Sequence, residues 1–121
     1  MARYVDGFVL PMSKKKVATY RKIARAAGQV WKKYGAVEYI ECAGDELANK
    51  MTLPFTRLAK TKPGETVVFS WIVYKSKAHR NQVNAKVMKD PRIVKMMSDP
   101  KLMPFDPKRM AMGGFKIIVD M

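Results

Sequence analysis

The chain is poor in the residues that many functional classes require. Among 121 residues it has one histidine, one cysteine and ten acidic residues. A single histidine, His79, excludes a histidine-rich metal site and makes a Ser-His-Asp triad improbable. A single cysteine, Cys42, excludes an intramolecular disulfide, which fits a protein of a reducing compartment. We therefore expect no bound metal and no cofactor.

Long apolar runs are also missing. No stretch approaches the roughly 18 apolar residues that a transmembrane helix needs, and the first residues lack the apolar core of a signal peptide. We expect a cytoplasmic protein with no membrane partner. The length fits one domain over residues 1–121, and a hydrophobic content of 48% excludes a disordered chain.

Positive charge is abundant. Lysine and arginine total 24, which gives a formal net charge of +14. This predicts affinity for polyanions. A charged surface that serves only solubility is an equally good interpretation.

The strongest structural pattern is the segment 67–74, which reads as a strand that is apolar on both faces. Alternation along the strand places two sets of side chains on opposite faces. One set is Val67, Phe69, Trp71 and Val73, and the other is Val68, Ser70, Ile72 and Tyr74. A small sheet usually has one face covered by its own helices. The second apolar face therefore predicts a partner subunit.

The remaining elements follow from periodicity and from turn residues. We predict strands over 4–10, ending at Pro11, and over 37–42, 66–74 and 115–119, the last entered through Gly113-Gly114. Helices are predicted from a Ser13 cap to Tyr34, with an apolar stripe along one face, from a Ser76 cap over 77–89, and from the Asp90-Pro91 pair over 91–97. Residues 55–60 are read as a short extra strand. The order β-α-β-β-α-β indicates an α+β, ferredoxin-like antiparallel sheet, and two such sheets face to face make a dimeric α/β barrel.

The chain also resembles the YbaA-like bacterial proteins, a family of unknown function in the dimeric α/β-barrel superfamily. The resemblance rests on segments spread over nearly the whole chain: 4–9, 35–38, 67–71, 90–92, 103–106, 108–110 and 113–115. It implies the ferredoxin-like fold and a homodimer. It implies no established activity and supplies no catalytic residues.

Three polar residues are weak catalytic candidates: Asp6, His79 and Ser70. Asp6 interrupts an apolar strand, so we expect it to pair with a cation such as Arg109 or Lys116, to cap a neighbouring backbone group, or to line a cavity with a raised pKa. His79 shares a helix stripe with buried valines, which favours packing over acid/base chemistry. Cys42 is expected to be a buried, inert thiol.

Several large side chains could line a ligand pocket. The candidates are Phe8, Tyr39, Trp71, Tyr74, Arg109 and Phe115. Aromatic residues at strand spacing also suit a core or an interface, and a barrel interior can be both. The segment 103–114 either covers a barrel mouth or is an ordered loop that completes the dimer.

Two functions are consistent with these patterns. The first is a homodimer that binds a small, mostly apolar ligand in the barrel, with a cofactor-independent enzyme as one form of it. The alternative is a basic protein that binds RNA or DNA non-specifically through its helix face, using Lys15, Lys22, Arg25 and Lys33. A protein that only assembles with itself or with another chain is a third hypothesis.

Overall fold

A computed structural model describes residues 2–121, which form one four-stranded antiparallel sheet with the strand order β2-β3-β1-β4. The elements are β1 (Tyr4–Ser13), α1 (Val17–Lys33), β2 (Glu38–Ala43), α2 (Phe55–Leu58), β3 (Glu65–Tyr74), α3 (Lys77–Val87), α4 (Pro91–Ser98) and β4 (Ala111–Lys116). Short 3-10 turns lie at Lys14–Lys16, Pro100–Leu102 and Pro107–Arg109. The predicted α+β, ferredoxin-like architecture is confirmed. Within residues 2–121, each helix is too short or too polar to cross a bilayer.

The helices pack on one face of the sheet, which we call the covered face. β1 and β3 pair from Tyr4 opposite Tyr74 to Ser13 opposite Glu65, so their even-numbered side chains lie on this face. Tyr39 and Glu41 of β2 join them. The odd-numbered side chains of β1 and β3 point to the opposite side, which we call the open face.

The main core lies between the covered face and three helices. It joins α1, β3, α3 and α4 through fully buried apolar side chains, among them Val30, Ile72, Val83, Val87 and Ile93. The stripe predicted on α1 is therefore confirmed as the buried side of that helix. A second cluster of Leu10, Met12 and Val68 packs against the first turns of α1.

Two predicted strand limits are wrong, and both errors concern residues that usually break strands. β1 continues through Pro11 to Ser13. Its pairing with β4 ends at Val9, so the missing N–H of Pro11 lies where β1 has only one neighbouring strand. β4 spans Ala111–Lys116 instead of 115–119, so Gly113-Gly114 lies inside the strand.

The glycines of β4 are needed for packing. Gly7 and Gly113 are cross-strand partners, and the Phe115 ring lies over both, 3.5 and 3.6 Å from where their β-carbons would be. A β-carbon on Gly114 would overlap the Tyr4 ring. The missing side chains thus leave room for two aromatic rings on opposite faces of the sheet.

Two predictions about helices also need correction. Ser13 makes no side-chain capping bond and precedes a 3-10 turn, so α1 begins only at Val17. The extra strand predicted at 55–60 is the short helix α2, preceded by Pro54 at its N-cap. The other predicted caps are confirmed: Ser76 accepts from the His79 N–H, and Asp90 accepts from the Arg92 N–H.

Candidate functional site

The covered face encloses a cavity of about 290 Å³ between the sheet, α1, α4 and the segment 99–110. Most of its wall is aromatic, aliphatic or methionine side chains, among them Phe8, Ile23, Ile72, Met96, Met103 and Met112. The segment 99–110 closes one side, since Phe105 stacks edge-on against Tyr20 at 5.7 Å between ring centroids. The methionines form a deformable wall that can adapt to the shape of a ligand.

A small set of polar groups lies among these apolar side chains. Asp6 is only 2% exposed, and its Oδ1 accepts from Arg80 Nη1 at 3.2 Å. Asn84 Oδ1 accepts from Trp31 Nε1 and from the Tyr74 hydroxyl, both at 3.1 Å. Burial raises the pKa of Asp6 above its usual range, and the nearby Arg80 charge opposes this only in part. The cavity therefore contains a carboxyl group whose proton affinity is increased.

A second polar cluster forms the wall next to β2. Glu41 accepts a hydrogen bond from the Tyr20 hydroxyl at 2.8 Å on Oε1 and from the Tyr39 hydroxyl at 2.9 Å on Oε2. Burial, followed by the Glu41 charge, raises the pKa of both tyrosines, so both hydroxyls stay protonated and continue to donate. Sequence reasoning missed this cluster. Strand alternation placed Tyr39 and Glu41 on one face, but the contact with Tyr20 depends on helix docking.

Of the three catalytic candidates, the structure brings together Asp6 and Ser70. Both are buried and both line the cavity. His79 is not part of that lining. Its Nδ1 accepts from the Lys75 N–H at 3.0 Å, and its ring lies edge-on to Tyr74. His79 thus takes part in packing and in the start of α3.

Asp6 does pair with a cation, but with neither of the two cations named from the sequence, Arg109 and Lys116. Asp6 pairs with Arg80 of α3, whose guanidinium also lies 4.9 Å from the centroid of the Tyr4 ring. Arg109 is held elsewhere by two bonds of 2.8 Å to Glu65, and Lys116 is exposed. The sequence did not identify Arg80 as the partner of Asp6, because their contact depends on how α3 docks against β1, and no local sequence pattern predicts that docking.

The predicted pocket residues divide between the two faces of the sheet. Phe8, Tyr39 and Tyr74 lie on the covered face and line the cavity. Trp71 and Phe115 point to the open face. Arg109 is in the ion pair with Glu65, which fastens the segment 99–110 to the sheet.

The open face carries an apolar surface that this chain covers only in part. Phe69 is 40% exposed and Phe115 is 58% exposed. Phe69 contacts Phe55 of α2 and Trp71, with centroid distances of 5.9 and 5.5 Å. Cys42 lies beside them and is exposed, which contradicts the predicted burial of its thiol. The reason is that Cys42 alternates to the open face, opposite the face on which α1, α3 and α4 pack.

The four cations proposed for nucleic-acid contact lie along the outer side of α1 and the turn before it. Lys15, Lys22, Arg25 and Lys33 are all exposed. Within residues 2–121, none of them takes part in an ion pair. In the same part of the chain, no cluster of three or more histidine, cysteine or acidic side chains could bind a metal ion.

The fold places the chain among ferredoxin-like α+β proteins. A solved structure described as a dimeric ferredoxin-like protein from an uncultured marine organism matches it with a TM-score of 0.63, covering 100% of both chains at 8% identity. At that identity the likeness concerns the fold alone.

Sequence comparison identifies the family. The chain belongs to a family described as "Protein of unknown function (DUF1428)", whose model matches residues 3–107. It is 41% identical over 118 residues to the uncharacterised protein YbaA of Escherichia coli K12, covering 98% of each chain. The YbaA protein of Shigella flexneri matches to the same extent. The resemblance to YbaA-like proteins seen in the sequence is thereby confirmed.

Proposed function

We propose that this protein is a homodimer that binds a small, mostly apolar ligand, with one site inside each protomer between the sheet and the helices. The observation that carries the proposal is the cavity of about 290 Å³ on the covered face. A mostly apolar wall with a few convergent polar groups is the usual composition of a small-molecule site. The position differs from the barrel interior expected from the sequence, because the cavity lies on the helix side.

The open face supports the homodimer. Exposed Phe69 and Phe115, together with Trp71, make a contiguous apolar surface of the kind that marks an interface. A second copy offers the same surface, so a two-fold contact would cover both at once. The structural neighbour from the marine organism, described as dimeric, is consistent with this arrangement.

A cofactor-independent enzyme is the stronger form of the proposal. Asp6 and Ser70 both line the cavity, and the raised pKa of Asp6 suits a group that accepts a proton from a bound molecule. Asp6 would then act as the general base and Ser70 would position the substrate. Asp6→Asn would retain ligand binding and lose turnover.

The first experiment is native mass spectrometry on freshly purified protein treated with nuclease. We expect a dimer that carries a small-molecule adduct, which gentle denaturation releases. A monomer across micromolar concentrations would contradict the dimer. If the dimer carries no adduct, the fluorescence experiment below tests whether the cavity binds a ligand.

The two tryptophans give a direct test, because they lie in different places. Trp31 lines the cavity. Trp71 is also part of the cavity lining, but strand alternation puts its side chain on the open face, where its Nε1 donates to Glu38. In the Trp71→Phe variant, a released or added ligand should change the fluorescence of Trp31. In the Trp31→Phe variant, the same ligand should leave Trp71 unchanged while dilution changes it. A ligand that moved only the Trp71 signal would place binding in the barrel and contradict the covered-face site.

A second candidate function is non-specific binding of RNA or DNA by the cations on the outer side of α1. Their exposure and lack of ion pairing favour it. Lys22→Glu with Arg25→Glu should weaken binding, and affinity should fall steeply with salt. Lys101→Glu with Lys108→Glu is the matched control, since both lysines are exposed and lie outside α1. Equal losses in both pairs, or no binding in about 50 mM salt, would contradict this function.

A further inference from the structure

A second concavity lies outside the cavity, in a groove of about 520 Å³ between α1 and β2. One side of the groove is a row of α1 side chains: Arg21, Arg25, Gln29 and Lys32. Successive spacings of four, four and three residues put them along one edge of the helix, next to its apolar stripe. β2 is an edge strand, so within residues 2–121 the sheet has no further strand beyond the groove.

The cations of this row are available to a ligand. Within residues 2–121, neither Arg21 nor Arg25 has an acidic partner. Lys32 donates to the Val37 carbonyl at 2.9 Å and keeps two further N–H groups. The floor beneath them includes Val17, Ala24 and Val68, so the groove combines an apolar floor with a cationic edge.

The groove and the cavity share one wall. Tyr20, Ala24, Tyr39 and Glu41 line both spaces. Two hydrogen bonds from the tyrosines to Glu41 join the side chains of this wall, and Tyr39 also contacts Trp31, with 6.0 Å between ring centroids. Gly28 allows the Tyr39 ring to lie flat on α1, because a β-carbon there would be 2.7 Å from the ring.

We propose that the ligand is an amphipathic anion, with its apolar part in the cavity and a carboxylate or phosphate group in the groove at Arg21 and Arg25. This rests on the proposed binding function of the cavity. The Tyr20–Glu41–Tyr39 wall is the passage between the two spaces. Charge sets the orientation, since the acid Asp6 lines the cavity alone, the acid Glu41 lines both spaces, and the groove has two unpaired guanidinium groups. Guanidinium groups bind carboxylates and phosphates through paired N–H bonds.

The test compares probes that share one apolar tail: decanoate, decyl phosphate and uncharged decanol. Binding is followed by Trp31 fluorescence in the Trp71→Phe variant and by calorimetry in the unaltered protein. The anions should bind about tenfold or more tightly than decanol, as expected for charge-assisted hydrogen bonds. Arg21→Gln with Arg25→Gln should remove that preference. Lys15→Gln with Lys22→Gln, which removes the same charge outside the groove, should keep most of it.

Each outcome separates this inference from the proposed function. If neither the anions nor decanol binds, the cavity function fails and the inference fails with it. If all three probes bind with equal affinity, or if the double lysine variant loses as much preference for anions as the double arginine variant, the ligand is not an anion held by the groove. The proposed ligand binding in the cavity is then unaffected. A stronger response to decyl phosphate than to decanoate would identify phosphate as the head group.

The passage has its own test. Tyr39→Phe removes one of the two hydrogen bonds across the shared wall and keeps the ring. Decanoate should then associate several-fold faster in stopped-flow fluorescence, with a smaller change in affinity. An unchanged association rate would show that the ligand enters elsewhere. Thermal unfolding of the variant distinguishes a faster entry from a loosened fold.

Discussion

The two faces of this sheet are built from the same strands and meet different surroundings. On the covered face, Asp6 and Tyr74 have partners within the chain, Asp6 with Arg80 and Tyr74 with Asn84. On the open face, Phe69 and Phe115 remain 40% and 58% exposed, and the Phe55 ring of the short α2 packs against Phe69. The covered face thus folds the protomer and holds a cavity, while the open face keeps an exposed apolar surface.

The difference extends to the kinds of residue on each face. The cavity wall combines methionines with tyrosines and two acids, a composition that can change shape and make hydrogen bonds. The open face presents aromatic rings and the cross-strand pair Gly7–Gly113, over which Phe115 lies flat. A flat apolar surface suits another sheet, whereas a deformable concave one suits a small molecule. Substitutions on one face should therefore leave the other property intact.

The largest expected effect concerns the open face. Trp71→Glu would place a second carboxylate beside Glu38, whose Oε1 now accepts from Trp71 Nε1 at 2.9 Å. Loss of a central aromatic contact and burial of a charge should raise the dimer dissociation constant on the order of a thousandfold. Analytical ultracentrifugation over a range of concentrations measures it.

The matched control for this change is Val94→Glu on α4. Val94 is 50% exposed, and its replacement by glutamate adds the same negative charge on the helix side of the sheet. We expect an unchanged dimer in this variant. Equal dissociation in both variants would mean that net charge, and not the open face, governs assembly.

The next effect concerns the covered face. Ile93 is 2% exposed and packs into the main core beside the cavity. Ile93→Ala should lower the free energy of unfolding by about 3 kcal/mol, since the methyl groups lost cannot be replaced by neighbours. Urea denaturation at a fixed protein concentration measures this. Val94→Ala, one residue along the same helix, should change stability by less than about 0.5 kcal/mol.

The same pair tests whether the faces are independent. Ile93→Ala enlarges a cavity on one side of the sheet and should leave the dimer dissociation constant unchanged. If this variant dissociates as readily as Trp71→Glu, the two faces are coupled through the sheet. The division proposed here would then be wrong.

A smaller effect concerns the segment 99–110 that closes the cavity. The Arg109 hydrogen bonds, then the Lys62 N–H, hold the pKa of Glu65 at about 2, against 4.5 for an unperturbed glutamate. Because the folded-state pKa is the lower one, this contribution to stability is complete above 4.5 and is lost as pH falls towards 2. Glu65→Gln should lower the free energy of unfolding by about 1 kcal/mol at neutral pH. The stability of this variant should also no longer fall with the protonation of residue 65. Denaturation curves from neutral to acidic pH provide the measurement. If the unaltered protein and the variant lose stability in parallel as the pH falls, the prediction is wrong.

Much of the fold could be predicted because it follows from local patterns. The stripe on α1, the alternation of β3 and the Asp90-Pro91 start of α4 each depend on residues near one another in sequence. The errors at Pro11 and Gly113 have a different source. Both residues are ordinarily strand breakers, and here long-range pairing sets what each position can tolerate.

The candidate site was less predictable, because it depends on how helices dock. That Asp6 is buried follows from its apolar strand, but its partner Arg80 lies 74 residues away. The bonds of Glu41 to Tyr20 and Tyr39 likewise require α1 to lie on β2. The sequence also left open which face of β3 meets the helices, since both are apolar. The structure answers this by placing Ile72 and Tyr74 in the core.

The smallest expected effect uses Cys42 as a reporter of the open face. The thiol is exposed in the protomer and lies opposite Phe69, so a face-to-face dimer would cover it. Alkylation by iodoacetamide should therefore be several-fold slower at high protein concentration than after dilution, where the monomer prevails. In the Trp71→Glu variant the rate should be fast and independent of concentration, whereas Ile93→Ala should keep the concentration dependence of the unaltered protein. A fast rate in the concentrated protein would mean that the dimer uses another surface, and the apolar open face would then need a different explanation.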